Sequence, residues 1–517
     1  MKASTPSFVT ELPLVVDSLT ERELLARFQA ARQLYNACLG ETKKRLQRAR
    51  ASLEWQEAKS LPKSAKNKSK RNRLYKDAKA KELYSDYDIQ SYATQTAKAS
   101  DWIAEKIDAQ CQQKLATRAF NAVERTVFGG AKKLRFKVPS RFKSVEAKSN
   151  KQGLRWKDNQ VVWGKLKVPA IIDIYNEVIC HGLSSRVKFV RLLWRILNGK
   201  RCWYVQLICE GVPFVKEKNK VAEGSIGIDL NISNVAYVSD EDAGLLPFAE
   251  NVPTYQKEIA RLQRKMQRSQ RANNLDKFEP DFEAKKGRKT VTKKGKVKKG
   301  AKTKPWNRSK TYQRIRAKKA EIERKRTAYA KSQNRRLVNE VLRHGKQIKT
   351  EKVSVKGWQK RYGKAIKDKS PSFFMSELTR KAESAGGLVT RFSTQKTALS
   401  QTHLTGTRIK KSLSERIHKD ESGFEMQRDL FSAFLSRHVY DDTLSLRDAQ
   451  SEYPGLEPVL MVAWEANKSC EMSRRVQKSG EVIVPLEQLA ITSETDRQIA
   501  PFRDATSGRL LQESQSL

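Results

Sequence analysis

The stretch Gly224–Asp240, GSIGIDLNISNVAYVSD, reads as an apolar strand, a tight turn and a second strand, and the fold of the second half of the chain turns on it. Asp229 closes the first apolar run. An ionised carboxylate in that position is costly unless a cation or a hydrogen-bond donor meets it. Actin-like ATPases open their phosphate-binding hairpin with a similar strand and Asp, but continue into a Gly/Thr-rich turn, whereas here the sequel is NISNVAYV. No P-loop pattern occurs elsewhere.

Downstream, NVPTYQKEIARLQRKMQRSQRANN has helical periodicity with Ile259, Leu262 and Met266 on one stripe. Between Ala284 and Lys310 stand thirteen Lys or Arg and no acid, which predicts a solvated, flexible loop able to order on a phosphate backbone. A second long helix is expected from about Lys310 to His344, then a strand at IKTEKVSV, a helix at SPSFFMSELTRKAESAG and a strand at LVTRFST. Strand, strand, helical excursion, strand, helix, strand is an α/β order.

Upstream, PSFVTELPLVV alternates like a strand, and helical patterning starting at Leu19 to Thr20 runs to about Thr126, broken by SLPKSAKNKSKRNR. KLRFKVPSRF, GLRWKDNQVVWGKLKVPAI, SSRVKFVRLLWRILN and KRCWYVQLICEG then read as short strands of a β-barrel. Phe136, Trp156, Trp163, Trp194, Trp203 and Tyr204 are interleaved there with Lys and Arg. Core packing is the plain explanation for such rings; a wall facing nucleic acid explains the flanking charge.

The chain of 517 residues carries 104 Lys and Arg against 57 Asp and Glu, a net charge of +47. A polyanion is the natural partner, since each neutralised phosphate releases counterions. With 38% hydrophobic residues the length supports two or three packed domains. Cys38, Cys111, Cys180, Cys202, Cys209 and Cys470 show no CxxC spacing, so neither a disulfide framework nor a cysteine zinc site is written here. No secretory leader pattern and no membrane-length apolar run occurs, which predicts a cytoplasmic protein bound to nucleic acid, with no membrane partner. After Tyr440 the balance reverses to eight Lys/Arg and thirteen Asp/Glu, net −5, so this last part is not expected to touch phosphates.

Two more acids share the setting of Asp229. Glu351 stands in QIKTEKVSV, and Asp429 stands at the start of the helix of MQRDLFSAFLSR. Taken singly, each is an ordinary turn or capping residue. Together, two strand-borne acids converging on a third at a helix start can hold two hard divalent cations through oxygen ligands. Two such metals activate a water and stabilise the leaving 3′ oxygen of a phosphodiester. Asp229 would bridge both ions, with Glu351 and Asp429 on either side.

GSIGIDLNISNVAYVSD, IKTEKVSVKGW, KSPSFFMSELTRKAESAGG, KTALSQTH, SLSERIH and MQRDLFSAFLSR resemble, in order and style, the TnpB (OrfB) proteins of insertion sequences and their descendants, the compact type V CRISPR-Cas effectors. LARFQAARQLYNACL and LRFKVPSRF look like the same family's front half, so the resemblance covers roughly residues 5 to 445. It implies a multidomain α+β protein: a wedge β-barrel at 1–18 and 127–220, a helical recognition insertion at 19–126, a split RuvC-like nuclease domain of RNase H fold at 221–393 and 424–445 with a basic helical insertion at 253–345, and an acidic extension at 446–517. It also implies RNA-guided cutting of double-stranded DNA beside a short motif, with a structured guide RNA, two Mg2+ ions, and Asp229, Glu351 and Asp429 as catalytic, metal-holding acids. Arg264, Lys265, Arg268, Lys285, Lys286, Arg288, Lys289, Arg314, Arg316 and Arg428 would contact nucleic acid, which such proteins read through backbone shape.

One segment departs from that family. Ser400–Gly423, SQTHLTGTRIKKSLSERIHKDESG, has the layout of a zinc ribbon without cysteine. By position the four ligands would fall at His403, Thr405, Asp420 and Ser422, and only His403 is a strong zinc ligand. His418 and Asp420 add donors without completing a tetrahedron. Residues 394–423 are therefore expected to form a degenerate, zinc-free ribbon that loads the target strand. A guided binding protein that no longer cuts is the rival reading, and a transposase using the same acids is the third. Whether the chain works as a homodimer or with an accessory protein is not written in the sequence.

Overall fold

Asp17 accepts a hydrogen bond from the Thr20 backbone N–H at 2.7 Å and caps the helix Ser18–Ala51, one residue ahead of the start expected from periodicity. The computed structural model describes residues 5–131, 134–287, 289–301, 305–412 and 415–479, leaving out the side chains at 286, 364 and 470–479. Arg288 and the end of the acidic extension lie outside the described residues. The chain is mixed α+β and divides into two units. Met1–Glu223, Phe248–Lys346 and Ser354–Leu388 form the first; Gly224–Pro247, Gln347–Val353 and Val389–Leu517 form the second.

In the first unit, four antiparallel strands stand in the order Ser7–Pro13, Lys200–Glu210, Val187–Leu197, Ser144–Glu146. The two long central strands are joined through Asn198 and Gly199, both left-handed at φ 49° and 80°, the twist a two-residue hairpin turn demands. A separate meander, Leu154–Lys157, Gln160–Trp163 and Leu166–Pro169, touches the first strand's end through the bridge Leu14 to Ala170. The expected closed barrel is not formed among the described residues: the sheet is open. Its physical substitute is the helix pair Ser18–Ala51 and Ala109–Val127, which shares one hydrophobic core with the strands. Phe28 of the first helix meets Trp203 edge to face at 5.1 Å, where a barrel would present its own far wall.

The basic excursion is also more ordered than expected. Its helices run Gln256–Ala272 and Lys310–Leu342, and between them Phe282–Lys286 and Lys289–Lys293 pair as a hairpin. Thr290, Val291 and Thr292 supply the β-branched residues that the lysine count obscures, and Gly287 at φ 61° turns the chain. A helix at Val355–Lys369, capped by Ser354, follows the Glu351 strand where none was expected.

The second unit is built on a five-stranded sheet ordered Ala243–Pro247, Asn234–Val238, Ser225–Leu230, Gln347–Glu351, Leu388–Phe392. The first three form an antiparallel meander, and Gln347–Glu351 runs parallel to Ser225–Leu230. The helix Arg428–Arg437 lies on this sheet, with every residue buried. Contact is closest at Gly227, where a Cβ would sit 2.0 Å from the Ala433 carbonyl oxygen and 2.5 Å from Ser436 Oγ. The acidic extension is not a loose tail at its start: Leu446–Ser479 is a helix whose Tyr453, Leu456, Leu460 and Trp464 complete the core around Phe431 and Phe434. Gly227→Ala therefore drives a methyl into backbone that has nowhere to go. Urea unfolding should show a loss at or above the upper end of the roughly 1–3 kcal/mol typical of overpacking.

Candidate active site

Asp229 stands at the fifth position of the strand Ser225–Leu230, half-buried, next to Ala236 on one neighbouring strand. On the other side Ile348 pairs with Ile226 and Thr350 with Ile228, so that Glu351, the following residue, ends its strand beside Asp229. Asp429 comes from the helix that Gly227 admits. Gln427, not Asp429, caps that helix, its Oε1 accepting from the Leu430 N–H at 2.7 Å. Asp429 is left in the first turn, 3% exposed, where the helix dipole favours a negative charge. All three acids singled out from the sequence thus converge in one unit.

Their charge is poorly compensated. Burial, then Asp429 and Glu351, push the Asp229 carboxyl well above the usual range, while Arg428 and a hydrogen bond from Asn231 Nδ2 at 3.3 Å pull the other way. Burial raises Glu351 to about 7. Arg428 Nε lies 3.7 Å from Asp429 Oδ1, and Arg416 Nη1 lies 4.0 Å from Oδ2. Such a set fits hard divalent cations: oxygen donors from three side chains, and negative charge that the protein's own cations only partly offset.

The residues expected on nucleic acid divide differently. Arg264, Lys265, Arg268, Lys285, Lys289, Arg314 and Arg316 are exposed on the helical excursion and its hairpin. Arg428 is a correction: it is 8% exposed, donates to the Ser412 carbonyl at 3.1 Å and belongs to the acid cluster. Its position directly before Asp429, at the buried start of the helix, turns it inward. Asn231 and Arg416 were not foreseen; the signal for Asn231 was its place in the turn that Asp229 enters.

The ribbon segment folds as two turns, with Gly406 and Gly423 left-handed at φ 91° and 98°, and a short antiparallel pair Ile417–Lys419 and Glu425–Gln427. Donor atoms of His403, His418 and Asp420, all buried, lie within 4.8 Å of one another. Their lone pairs are nonetheless engaged. His403 Nδ1 accepts from the Glu421 N–H at 3.1 Å, and His418 Nδ1 faces Lys411 Nζ at 2.6 Å, which assigns the ring protons to the Nε2 atoms. His418 Nε2 then donates to Asp420 Oδ2 at 2.9 Å. Asp420 also accepts from the Leu404 N–H at 3.0 Å in the first turn and from Ser422 N and Oγ at 3.1 and 2.7 Å in the second. One carboxylate joins both turns. Burial alone would raise it, but the donors of His418 and Ser422 outweigh burial and hold Asp420 at about 2. Burial depresses His418 to about 4, with its ring stacked 4.2 Å from Phe431.

No family model and no curated protein matches this chain. Among solved structures it is similar, at 9% identity and a TM-score of 0.37, to a Cas12f1–sgRNA–target DNA complex, over 83% of this chain and 98% of that one. A second similarity, at 11% identity and a TM-score of 0.26, is to a CRISPR-Cas12f ternary complex, over 81% and 82% of the two chains. Likeness this distant carries no functional argument, which must come from the residues themselves. Among the described residues no helix is long and apolar enough to cross a membrane.

The acid cluster carries a stability cost with a definite sign. Glu351 titrates at about 7 against an ordinary 4.5, so the stability its neutral form allows is complete below pH 4.5 and is lost as pH rises toward 7. Glu351→Gln should therefore raise the melting temperature at pH 8 and leave it nearly unchanged at pH 4, as thermal unfolding across that range would show.

Proposed function

We propose that the protein is an RNA-guided, Mg2+-dependent DNA endonuclease in which Asp229, Glu351 and Asp429 hold the metals. The observation that carries the cutting is the convergence of these acids around a sheet and helix, with Asp229 raised by burial and by both neighbours. A chain of net charge +47 with exposed Arg264, Arg268, Arg314 and Arg316 supports the nucleic-acid partner. An antiparallel meander continued by a parallel strand supports the RuvC-like, RNase H-type reading of this unit. Guidance by RNA rests on the sequence resemblance to TnpB and the compact type V effectors.

When bound, two divalent cations supply an activated water and stabilise the leaving 3′ oxygen. The chain's own work is positioning. Asp229, which feels the charge of both other acids, would hold the metals together with Glu351 and Asp429, and Asn231 Nδ2 donates to its Oδ2 at 3.3 Å. Arg428 partly balances the cluster while no cation is bound, which lets three acids share a buried place.

Purified complex with its co-purifying RNA, given a matching double-stranded DNA and Mg2+, should cut it. Asp229→Ala should lower cutting by on the order of 10³-fold or more while target binding persists. Wild-type complex that binds tightly and never cuts would mark a guided binding protein and overturn the nuclease reading. Joined strands among the products would point instead to a transposase.

The ribbon at 394–423 is read as closed by Asp420 in place of zinc: hydrogen bonds occupy both ring nitrogens of His418 and Nδ1 of His403, and although His403 Nε2 is buried without a partner, one nitrogen and one engaged carboxylate do not make a tetrahedral site. Metal analysis of the purified chain should find far less than one zinc per molecule, and a strong chelator should leave the melting temperature unchanged. One tightly held zinc per chain contradicts this.

A further inference from the structure

Between Gln256–Ala272 and Lys310–Leu342 the chain builds a small folded insert. Asn274, 3% exposed, staples its two ends: the side-chain amide donates to the Asn307 carbonyl at 2.8 Å and accepts from the Asn307 N–H at 2.8 Å. Arg271 braces the other side. Its guanidinium donates to the Gly295 carbonyl at 2.9 Å, pairs with Asp281 and lies 4.6 Å over the Phe278 ring. At Gly295 the backbone passes so close to Glu279 that a Cβ would meet its carbonyl oxygen at 1.9 Å.

These contacts hold open a cleft of about 1100 Å3 lined by Phe278 and Trp306 and by Arg264, Arg268, Lys296 and Arg308. The four cations are exposed and have no acidic partner among the described residues. Phe278 and Trp306 meet edge to face at 5.8 Å. The two rings could be nothing more than the insert's own core. A core, however, gives no reason to gather unpaired guanidinium groups around it, Arg264 and Arg268 from the first long helix and Arg308 from the segment just before the second, and no acid lines the cleft. Cations flanking aromatic rings are what a nucleotide requires, phosphate on one and base on the other. A second basic groove of about 480 Å3, with Arg261, Lys265, Arg314 and Lys318, lies alongside, and Arg268 lines both. The positive track therefore continues beyond the cleft, as a polymer needs and a free nucleotide does not.

We propose that this cleft holds an unpaired, single-stranded nucleic-acid segment, with a base against Phe278 and Trp306 and its phosphates on Arg264, Arg268 and Arg308. The inference deepens the function above and rests on its nucleic-acid part alone, not on the three acids. Fluorescence anisotropy of the full-length chain, freed of co-purifying RNA, can be measured with labelled oligo(U) RNA, oligo(dT) DNA and a blunt RNA duplex. Trp306→Ala should lower the ratio of single-strand to duplex affinity about tenfold, the size of one lost base stack, and Trp306→Phe should restore most of it. Arg308→Gln, which leaves the rings in place, should lower the same ratio and so covers the case in which loss of Trp306 unfolds the insert. A drop seen with oligo(U) assigns the segment to RNA, one seen with oligo(dT) to DNA. An unchanged ratio in both Trp306→Ala and Arg308→Gln, with duplex binding intact, overturns the cleft alone. A wild-type chain that binds none of the three probes overturns the nucleic-acid reading with it.

Discussion

The second unit depends on a side chain that is absent. With hydrogen in place of Cβ at Gly227, the backbone of the helix Arg428–Arg437 comes down onto the strand Ser225–Leu230 at a separation no other residue permits. That contact fixes the depth of the helix, and with it the place of Asp429 relative to Asp229 two residues further along the strand. Arg437 secures the other end of the helix, 6% exposed, with its guanidinium on the Ser239 carbonyl, Asp240 and Glu452. The site is thus positioned from below by packing and from the far end by charge.

What packing brings together, electrostatics resists. Burial and then the charges of Asp429 and Glu351 raise Asp229 against the pull of Arg428, and burial raises Glu351. A fold that holds such a cluster gives up stability at neutral pH. The ribbon segment solves the opposite problem. There a single carboxylate, Asp420, is surrounded by donors and held at about 2, so it acts as the fixed centre that joins two turns.

Much of this was legible in the sequence. Asp229 and Glu351 each border an apolar run, where a carboxylate is costly, and Asp429 opens a helix; singly each reads as a turn or cap, and it was the three together that pointed to a cation site. The long helices were legible from their stripes, and the exposure of Arg264, Lys265 and Arg268 from the opposite face of the same stripe. The hairpin Phe282–Lys293 was not, because lysine density concealed a short β-branched alternation that only pairing makes stable. The barrel was misjudged because strand patterning shows that a sheet has an apolar face and says nothing of what covers it; the helix Ser18–Ala51, carrying Phe28 and Tyr35, does so here.

By itself, then, the sequence determined the charge, the long helices and the sheet strands around Asp229, and the three candidate acids, since each follows from local composition and spacing. Only the tertiary structure decided that Arg428 turns inward, that Asp420 ties the ribbon, and that the insert beside Trp306 encloses a cleft. Those outcomes depend on contacts between residues distant in the chain, and a pattern read along one strand of sequence contains no information about which of its polar groups will find a partner.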